Sequence, residues 1–252
     1  MSSVERSASM YADFLLPHLT DRTDLVDVGC GDGELTVDLA GSVRSVVGVD
    51  VDEQEVAAAR ARAGRDGVAN ATFETADVYD LGLDDETADA VLAHSVLEAL
   101  EHPLSALAEM RRVLRPEGIV AVASVEYDGL ILAGPHEELL RRFYAVREQL
   151  WLRGGSDPYL GRRLRGLLSE SGFAGVEATT KAISYGTPDL VIAFGRGRAV
   201  DSVDDWYVSS AIEAELATPS ELDAMHEAWL EWAESPAAYA AFTWCRALGW
   251  KR

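Results

Sequence analysis

Glycines at three alternate positions, Gly29, Gly31 and Gly33, join an apolar run over residues 25–28 to a helical pattern over residues 34–40. A join of this kind restricts the fold strongly. Glycine lets the backbone turn sharply and approach a ligand with no side chain in the way. The same grammar recurs on both sides of the loop. Apolar runs at residues 45–49, 71–74, 88–93 and 119–125 alternate with helical patterns at 53–65 and 105–114. Arg115-Pro116-Glu117-Gly118 supplies the turn chemistry that stops the second of these helices. Strand–helix alternation predicts a parallel sheet with helices on both faces.

The last third changes character. Residues 136–153 and 160–171 read as helices, the second closed by Gly172, and 176–184 alternates like a strand. Residues 188–235 are helical and rich in tryptophan and acid, with Thr218-Pro219-Ser220-Glu221 as a helix start. Periodicity leaves residues 239–248 open between strand and helix. The chain thus reads as one α/β domain with a helical insertion late in the sequence.

Composition removes several classes. With 48% hydrophobic residues in 252, the chain has material for a real core and is not a disordered one. No apolar run approaches the ~18 residues of a membrane span. The N-terminal stretch lacks the basic head and continuous apolar core of a secretion signal. Two cysteines, Cys30 and Cys245, are too few for a disulfide framework or a cysteine-rich metal site, so a reducing, cytoplasmic setting is expected. Forty-three acids against 22 bases give a net charge of −21, which repels phosphate backbones and argues against a nucleic-acid substrate. Only Lys181 and Lys251 are lysines. High-salt adaptation and codon bias are the two alternative readings of this balance.

In a doubly wound sheet, ligands sit at the carboxyl ends of the strands, near the point where strand order reverses. Asp50 ends the second apolar run, where a carboxylate can accept both hydroxyls of a ribose. A dinucleotide fingerprint needs its third glycine at the sixth position. Here that position is Glu34, which would repel a pyrophosphate at the helix start. The loop suits a nucleoside without phosphates.

These segments resemble a known family. VDVGCGDGELT, VVGVDVDEQEV, TADVYDL, DAVLAHSVLEALEHPLSALAEMRRVLRPEGIVAVAS and LLSESGFAGVE, over about residues 23–186, follow the order and spacing of class I S-adenosylmethionine-dependent methyltransferases. The style is similar to the small-molecule branch that includes ubiquinone and menaquinone biosynthesis enzymes. The resemblance implies a Rossmann-like, doubly wound, mostly parallel seven-stranded sheet with the last strand antiparallel, preceded by an N-terminal helix. Residues 239–248 would be that last strand. A single domain over 1–252 would then have its core at 23–186 plus 236–252 and a helical insert or lid at 187–235.

The resemblance also implies roles. Gly29, Gly31 and Gly33 would wrap the methionine end of the cofactor, with Asp27 beneath the loop holding its amino group. Asp50 would take the ribose hydroxyls and Val51 would lie against the adenine. Asp77 would accept the adenine amino hydrogen, and Val78 would present its backbone amide to the ring. His94 would approach the methionine portion, and Tyr11 would close over the cofactor or serve as packing. Cys30 reads as a small filler, and Glu98 as a structural residue.

Methyl transfer from a sulfonium needs an aligned nucleophile and the exclusion of water. A base is required only when the acceptor must lose a proton. Candidates for base or substrate orientation are His94, Glu98 and His102 after the fourth strand, and Glu126, Tyr127 and Asp128 after the fifth. His136, Tyr144, Arg147, Trp151 and Tyr159 lie in the next helical stretch. His94 and Glu126 are the first choices. Ala93-His94-Ser95-Val96 is not the Asn/Asp-Pro-Pro-Tyr/Phe motif of amino methyltransferases acting on bases or glutamine amides, and it offers no Pro-Cys nucleophile. No acidic cluster matching the metal-dependent catechol type and no zinc spacing is seen. The aromatics Trp206, Tyr207, Trp229, Trp232, Trp151, Phe143 and Tyr144 serve either as core or as the lining of an aromatic substrate pocket. Arg141, Arg142, Arg162, Arg163 and Arg165 read as solvated helix faces; an inward one would suit a carboxylate-bearing substrate.

The expectation is a metal-independent transferase for a small organic acceptor, at oxygen or nitrogen rather than carbon, with S-adenosylmethionine as cofactor. A non-catalytic S-adenosylmethionine-binding protein and an NAD(P)-dependent oxidoreductase are the alternatives. Oligomeric state is not legible.

Overall fold

The computed structural model describes residues 7–252. The first six residues of the polar N-terminal stretch lie outside the described residues. In chain order the elements are α1 (Ala8–Tyr11), β1 (Asp24–Val28), α2 (Glu34–Ala40), β2 (Ser45–Asp50), α3 (Glu53–Asp66), β3 (Ala71–Thr75), β4 (Ala88–His94) and α4 (Pro103–Val113). Then come β5 (Leu114–Ala133), α5 (Glu137–Arg153), α6 (Leu164–Glu170), β6 (Ala174–Tyr185), α7 (Pro188–Ser202), α8 (Asp205–Glu213), α9 (Pro219–Ala233) and β7 (Tyr239–Trp250).

The described residues build a seven-stranded mixed sheet in the order β3-β2-β1-β4-β5-β7-β6, six strands parallel and one antiparallel. β1 pairs in parallel with β2 (Leu25 opposite Val46) and with β4 (Leu25 opposite Ala90). The chain runs outward from β1 to β3, then crosses back to β4, so strand order reverses between β1 and β4. This is the crevice where doubly wound sheets bind ligands.

The chain divides into two compact units, each described by itself. One, the sheet unit, comprises residues 7–125, Tyr159–Lys181 and Trp244–Arg252. Its central strands carry runs of buried apolar residues. Val91, Ala93, Val120 and Val122 share a core with Ala106, Leu107, Met110 and Val113 of α4 and with Leu164 and Leu168 of α6. The alternate residues Ala90, Leu92, Ala121 and Ala123 are equally buried, so both faces of β4 and β5 are covered. A smaller cluster joins Val56, Ala59 and Ala63 of α3 to Phe73 of β3 and to Cys30. Burial pushes the Cys30 thiol far above its usual range, which fits a filler and not a nucleophile.

The other, the helical unit, comprises Glu126–Pro158 and Ala182–Thr243. Its three late helices begin with side-chain caps. Thr187, Asp204 and Thr218 accept from the amides of Leu190, Trp206 and Glu221 at 3.5, 3.0 and 3.3 Å. Trp229, Trp232 and Tyr207 are fully buried, with Phe143 between them, and form this unit's core; Trp206 is half exposed.

Two expectations need correction. The fifth strand does not end at Val125 but continues to Ala133, so Glu126, Tyr127 and Asp128 lie within a strand and not on a loop after it. The turn at residues 115–118 does stop α4, yet it does not precede the strand. Leu114 pairs with Ala88 and Ile119 with Ala90, so the turn is looped out inside β5, with Glu117 in the left-handed region at φ 65°.

Candidate functional site

The loop after β1 takes the shape its glycines permit. Gly29, Gly31 and Gly33 all have positive φ, at 70°, 53° and 76°. A Cβ on Gly29 would lie 2.3 Å from Val96 Cγ2. One on Gly33 would lie 2.7 Å from Ala59 Cβ and 2.9 Å from Phe73 Cε1, so Gly33 lets α2 start close against α3 and β3. Beneath the loop, Asp27 is buried and accepts a 2.6 Å hydrogen bond from Thr36 Oγ1, tying β1 to α2.

A cavity of about 380 Å³ opens beside this loop. It falls within the ~300–1,000 Å³ typical of small-ligand pockets. Val28 and Gly29 come from the end of β1, Val49, Asp50 and Val51 from the end of β2, and Ala76 to Tyr79 from the segment after β3. Ser95, Val96, Ala99 and Leu100, after β4, complete the wall. The cavity thus sits at the carboxyl ends of four strands at the reversal point. Its walls are mostly apolar, with Asp50 and Asp77 among the few polar groups.

Asp50 is oriented by the loop itself. Its Oδ2 accepts from the Gly31 amide at 2.9 Å and its Oδ1 from the Asp52 amide at 3.0 Å. Asp77 holds the turn after β3, accepting from the Tyr79 amide at 2.9 Å. Val51 is largely exposed, as a residue at an open mouth would be. The predicted Gly29, Asp50, Val51, Asp77 and Val78 therefore share one cavity. Asp27, Gly31, Gly33, His94 and Tyr11 do not line it.

His94 ends β4 and is buried between two rings. The Trp244 ring centre lies 4.4 Å away at a 30° tilt, and Tyr11 meets His94 edge-on at 5.3 Å. Tyr11 also packs edge-on against Trp244 at 5.8 Å. The structure thus joins two predicted residues, His94 and Tyr11, through a tryptophan that the sequence reading did not single out. Glu126, the other candidate base, is buried and belongs to the helical unit. Glu98 is fully buried. It accepts from Ser95 Oγ at 3.0 Å and Ser124 Oγ at 2.7 Å, linking the turn after β4 to β5. Burial raises its carboxyl above the usual range, partly offset by these hydroxyls. That is the structural role expected of it.

The wall formed by Tyr79, Ser95, Val96, Ala99 and Leu100 was missed. A signal existed, because ligands gather where strands end and β4 ends at His94. Ser95 at φ 63° and the short 3-10 turn Leu97–Ala99 fold this segment against the cavity, which no local pattern announces. Among the described residues, no group of three or more His, Cys, Asp or Glu side chains is placed to hold a metal ion. No helix is long and apolar enough to cross a membrane among the described residues.

Comparison with known proteins gives a consistent picture. A family model described as a methyltransferase domain matches residues 26–122. An uncharacterized 37.1 kDa protein in transposon TN4556 of Streptomyces fradiae is 31% identical over 67% of this chain and 49% of its own length. The probable methyltransferase ltbC of Aspergillus luteorubrus is 28% identical over 98% of this chain and 92% of its own. The O-methyltransferase cnsE of Penicillium expansum is 31% identical over 62% and 53%. The chain therefore spans about half the length of two of these relatives and nearly all of the third. Among solved structures, the YcgJ protein of Bacillus subtilis aligns with a TM-score of 0.63 at 15% identity, over 95% of this chain and 97% of its own. A Haemonchus contortus phosphoethanolamine N-methyltransferase 2 in complex with S-adenosyl-L-methionine aligns at 0.57 and 14%, over 92% and 49%. At such identities the structural likeness concerns the fold.

Proposed function

We propose that this chain, a class I S-adenosylmethionine-dependent methyltransferase, moves the methyl group to a small organic acceptor by in-line displacement and without a metal. The observation that carries the reading is the cavity at the strand reversal point, with apolar walls and two carboxylates at the ends of β2 and β3. Its shape and chemistry fit an adenosine: apolar side chains for the base and acids for hydroxyls and an amino group. Bound there, the cofactor supplies a methyl group already activated by a positive sulfur.

The rest falls to the chain. Asp50 receives the ribose hydroxyls, Val51 packs on the adenine, and Asp77 with the Val78 amide reads the adenine edge. The Gly29–Gly31–Gly33 backbone and Asp27 hold the methionine end, which His94 and Tyr11 border. Desolvation by buried aromatics keeps water from competing for the methyl group. His94 and Glu126 are the candidates for orienting or deprotonating the acceptor. Oxygen or nitrogen acceptors are favoured, in keeping with the O-methyltransferase and N-methyltransferase relatives. The net charge of −21 supports an acceptor other than nucleic acid, and two buried cysteines that form no disulfide suit the cytoplasm.

Isothermal titration with S-adenosylmethionine, with NADH as control, tests the cofactor and the site together. Wild-type protein binds the sulfonium cofactor and not NADH, and Asp50→Ala weakens it tenfold or more, ~1.4 kcal/mol. A folded protein that ignores S-adenosylmethionine, or an Asp50→Ala variant that binds it unchanged, overturns the assignment.

A further inference from the structure

The helical unit holds an unbalanced group of donors. Arg147 Nη1 and Arg198 Nη2 converge on a single carboxylate, Asp201 Oδ2, at 3.5 and 2.9 Å. Two guanidiniums and one carboxylate leave an excess positive charge, in a chain whose overall charge is strongly negative. Arg198 is deeply embedded, with its Cζ 5.5 Å from the Phe194 ring centre, and its Nε is buried without a hydrogen-bond partner. Even so, 29% of its side-chain surface is accessible. The side chain is thus partly accessible while its Nε is shut off from solvent.

Two further donors stand nearby without acceptors. Tyr144 is buried and its hydroxyl has no partner; burial pushes its phenol well above the usual range, so it stays a neutral donor. Arg198, Arg147 and Asp201 are close enough for their charges to act on it. Trp229 is fully buried, 6.0 Å from Tyr144 between ring centres, and its indole N–H is likewise unpaired. Buried donors are normally satisfied. Several unsatisfied donors within one aromatic cluster, beside a surplus cation, describe a place prepared for acceptor atoms.

We propose that the helical unit contains a recess that binds an aromatic carboxylate, anchored by Arg198 with the Tyr144 hydroxyl as a second donor. A monoanion matches the surplus of a single charge, whereas a phosphate dianion would meet Asp201. The rings of Phe194, Tyr144 and Trp229 supply the flat apolar surroundings that an aromatic body requires. Only the step of calling this ligand the methyl acceptor rests on the function proposed above; the binding itself does not.

The test is isothermal titration of the full chain, without cofactor, using benzoate and 1-naphthoate against the neutral 1-naphthalenemethanol. Wild-type protein prefers 1-naphthoate to the alcohol at least tenfold, and Arg198→Gln abolishes that preference. Tyr144→Phe removes a hydroxyl that bonds to nothing in the protein, so its Tm is unchanged while 1-naphthoate binds several-fold more weakly. This second variant decides the matter if Arg198→Gln does not fold. Equal binding of carboxylate and alcohol, no binding of either carboxylate, or a Tyr144→Phe variant indistinguishable from wild type overturns the recess. Titration of the same samples with S-adenosylmethionine separates the two readings. Cofactor binding without carboxylate preference overturns the recess alone, and carboxylate preference without cofactor binding overturns the proposed function alone.

Discussion

Gly33 and Gly31 share a left-handed backbone but not a surrounding. A Cβ at Gly33 collides with Ala59 and Phe73, whereas one at Gly31 meets only Glu55 Oε2 at 3.9 Å. Gly33→Ala should therefore cost about 2 kcal/mol or more, and Gly31→Ala about 1 kcal/mol, the conformational cost alone. Urea denaturation of both variants measures the gap, and equal losses would refute the packing role of Gly33. Glu98 makes a second prediction. Its carboxyl is raised by burial in the folded chain, so folding takes up a proton between the unfolded and folded values. Stability contributed by this group is highest at low pH and falls as pH rises through that interval. Glu98→Gln removes the dependence, so the variant gains on the wild type from acid to neutral pH; a constant difference would count against it.

At the scale of the element, β1 is pinned where it begins. Asp24 accepts from Arg44 Nε and Ser45 Oγ, both at 2.7 Å, and from Arg115 Nη2 at 3.2 Å. The Arg44 guanidinium, followed by Ser45 and Arg115, overcomes burial and holds the carboxyl at about 2. A depressed carboxyl stabilises the fold above its unfolded value and loses that contribution as pH falls toward about 2. Asp24→Asn should cost about 1 kcal/mol at neutral pH, reduced by solvent screening of the exposed Arg44, and this cost should shrink as pH falls toward about 2 and vanish below it. Denaturation midpoints across this range check the sign. Elements announced by local chemistry were legible. The Thr218-Pro219-Ser220-Glu221 start of α9 and the glycine-capped loop before α2 stand where their residues place them. The length of β5 was not, because Glu126-Tyr127-Asp128-Gly129 interrupts the apolar run, and the strand continues through it to Ala133 only by pairing with distant chain.

For the molecule as a whole, charge bears directly on the cofactor. Asp50 lines the cavity, and Asp32, Asp52 and Glu55 gather with it; burial and these neighbouring charges raise the Glu55 carboxyl. S-adenosylmethionine carries a net positive charge, and its demethylated product S-adenosylhomocysteine carries none. The acidic field should hold the first and release the second. Raising salt to about 1 M, where the screening length is ~3 Å, should weaken S-adenosylmethionine binding about threefold and leave the product's affinity nearly unchanged. Parallel titrations decide this, and equal salt dependence would exclude an electrostatic role.

By itself the sequence determined the strand–loop–helix order, the three glycines and the place of Asp50 at the end of an apolar run, because turn chemistry and apolar periodicity are local and leave their mark within a few residues; Asp77 was implied only by the resemblance to a family. Tertiary structure decided which distant residues meet. It made residues 239–250 a strand, added the wall from Ser95 to Leu100 to the cavity, and set Trp244 against His94. It also placed Arg198, inconspicuous within α7, beside Arg147, Asp201 and the unpaired Tyr144 hydroxyl. Backbone pairing across a sheet, burial and the convergence of charges depend on separations of tens to hundreds of residues, and no local window of the chain contains them.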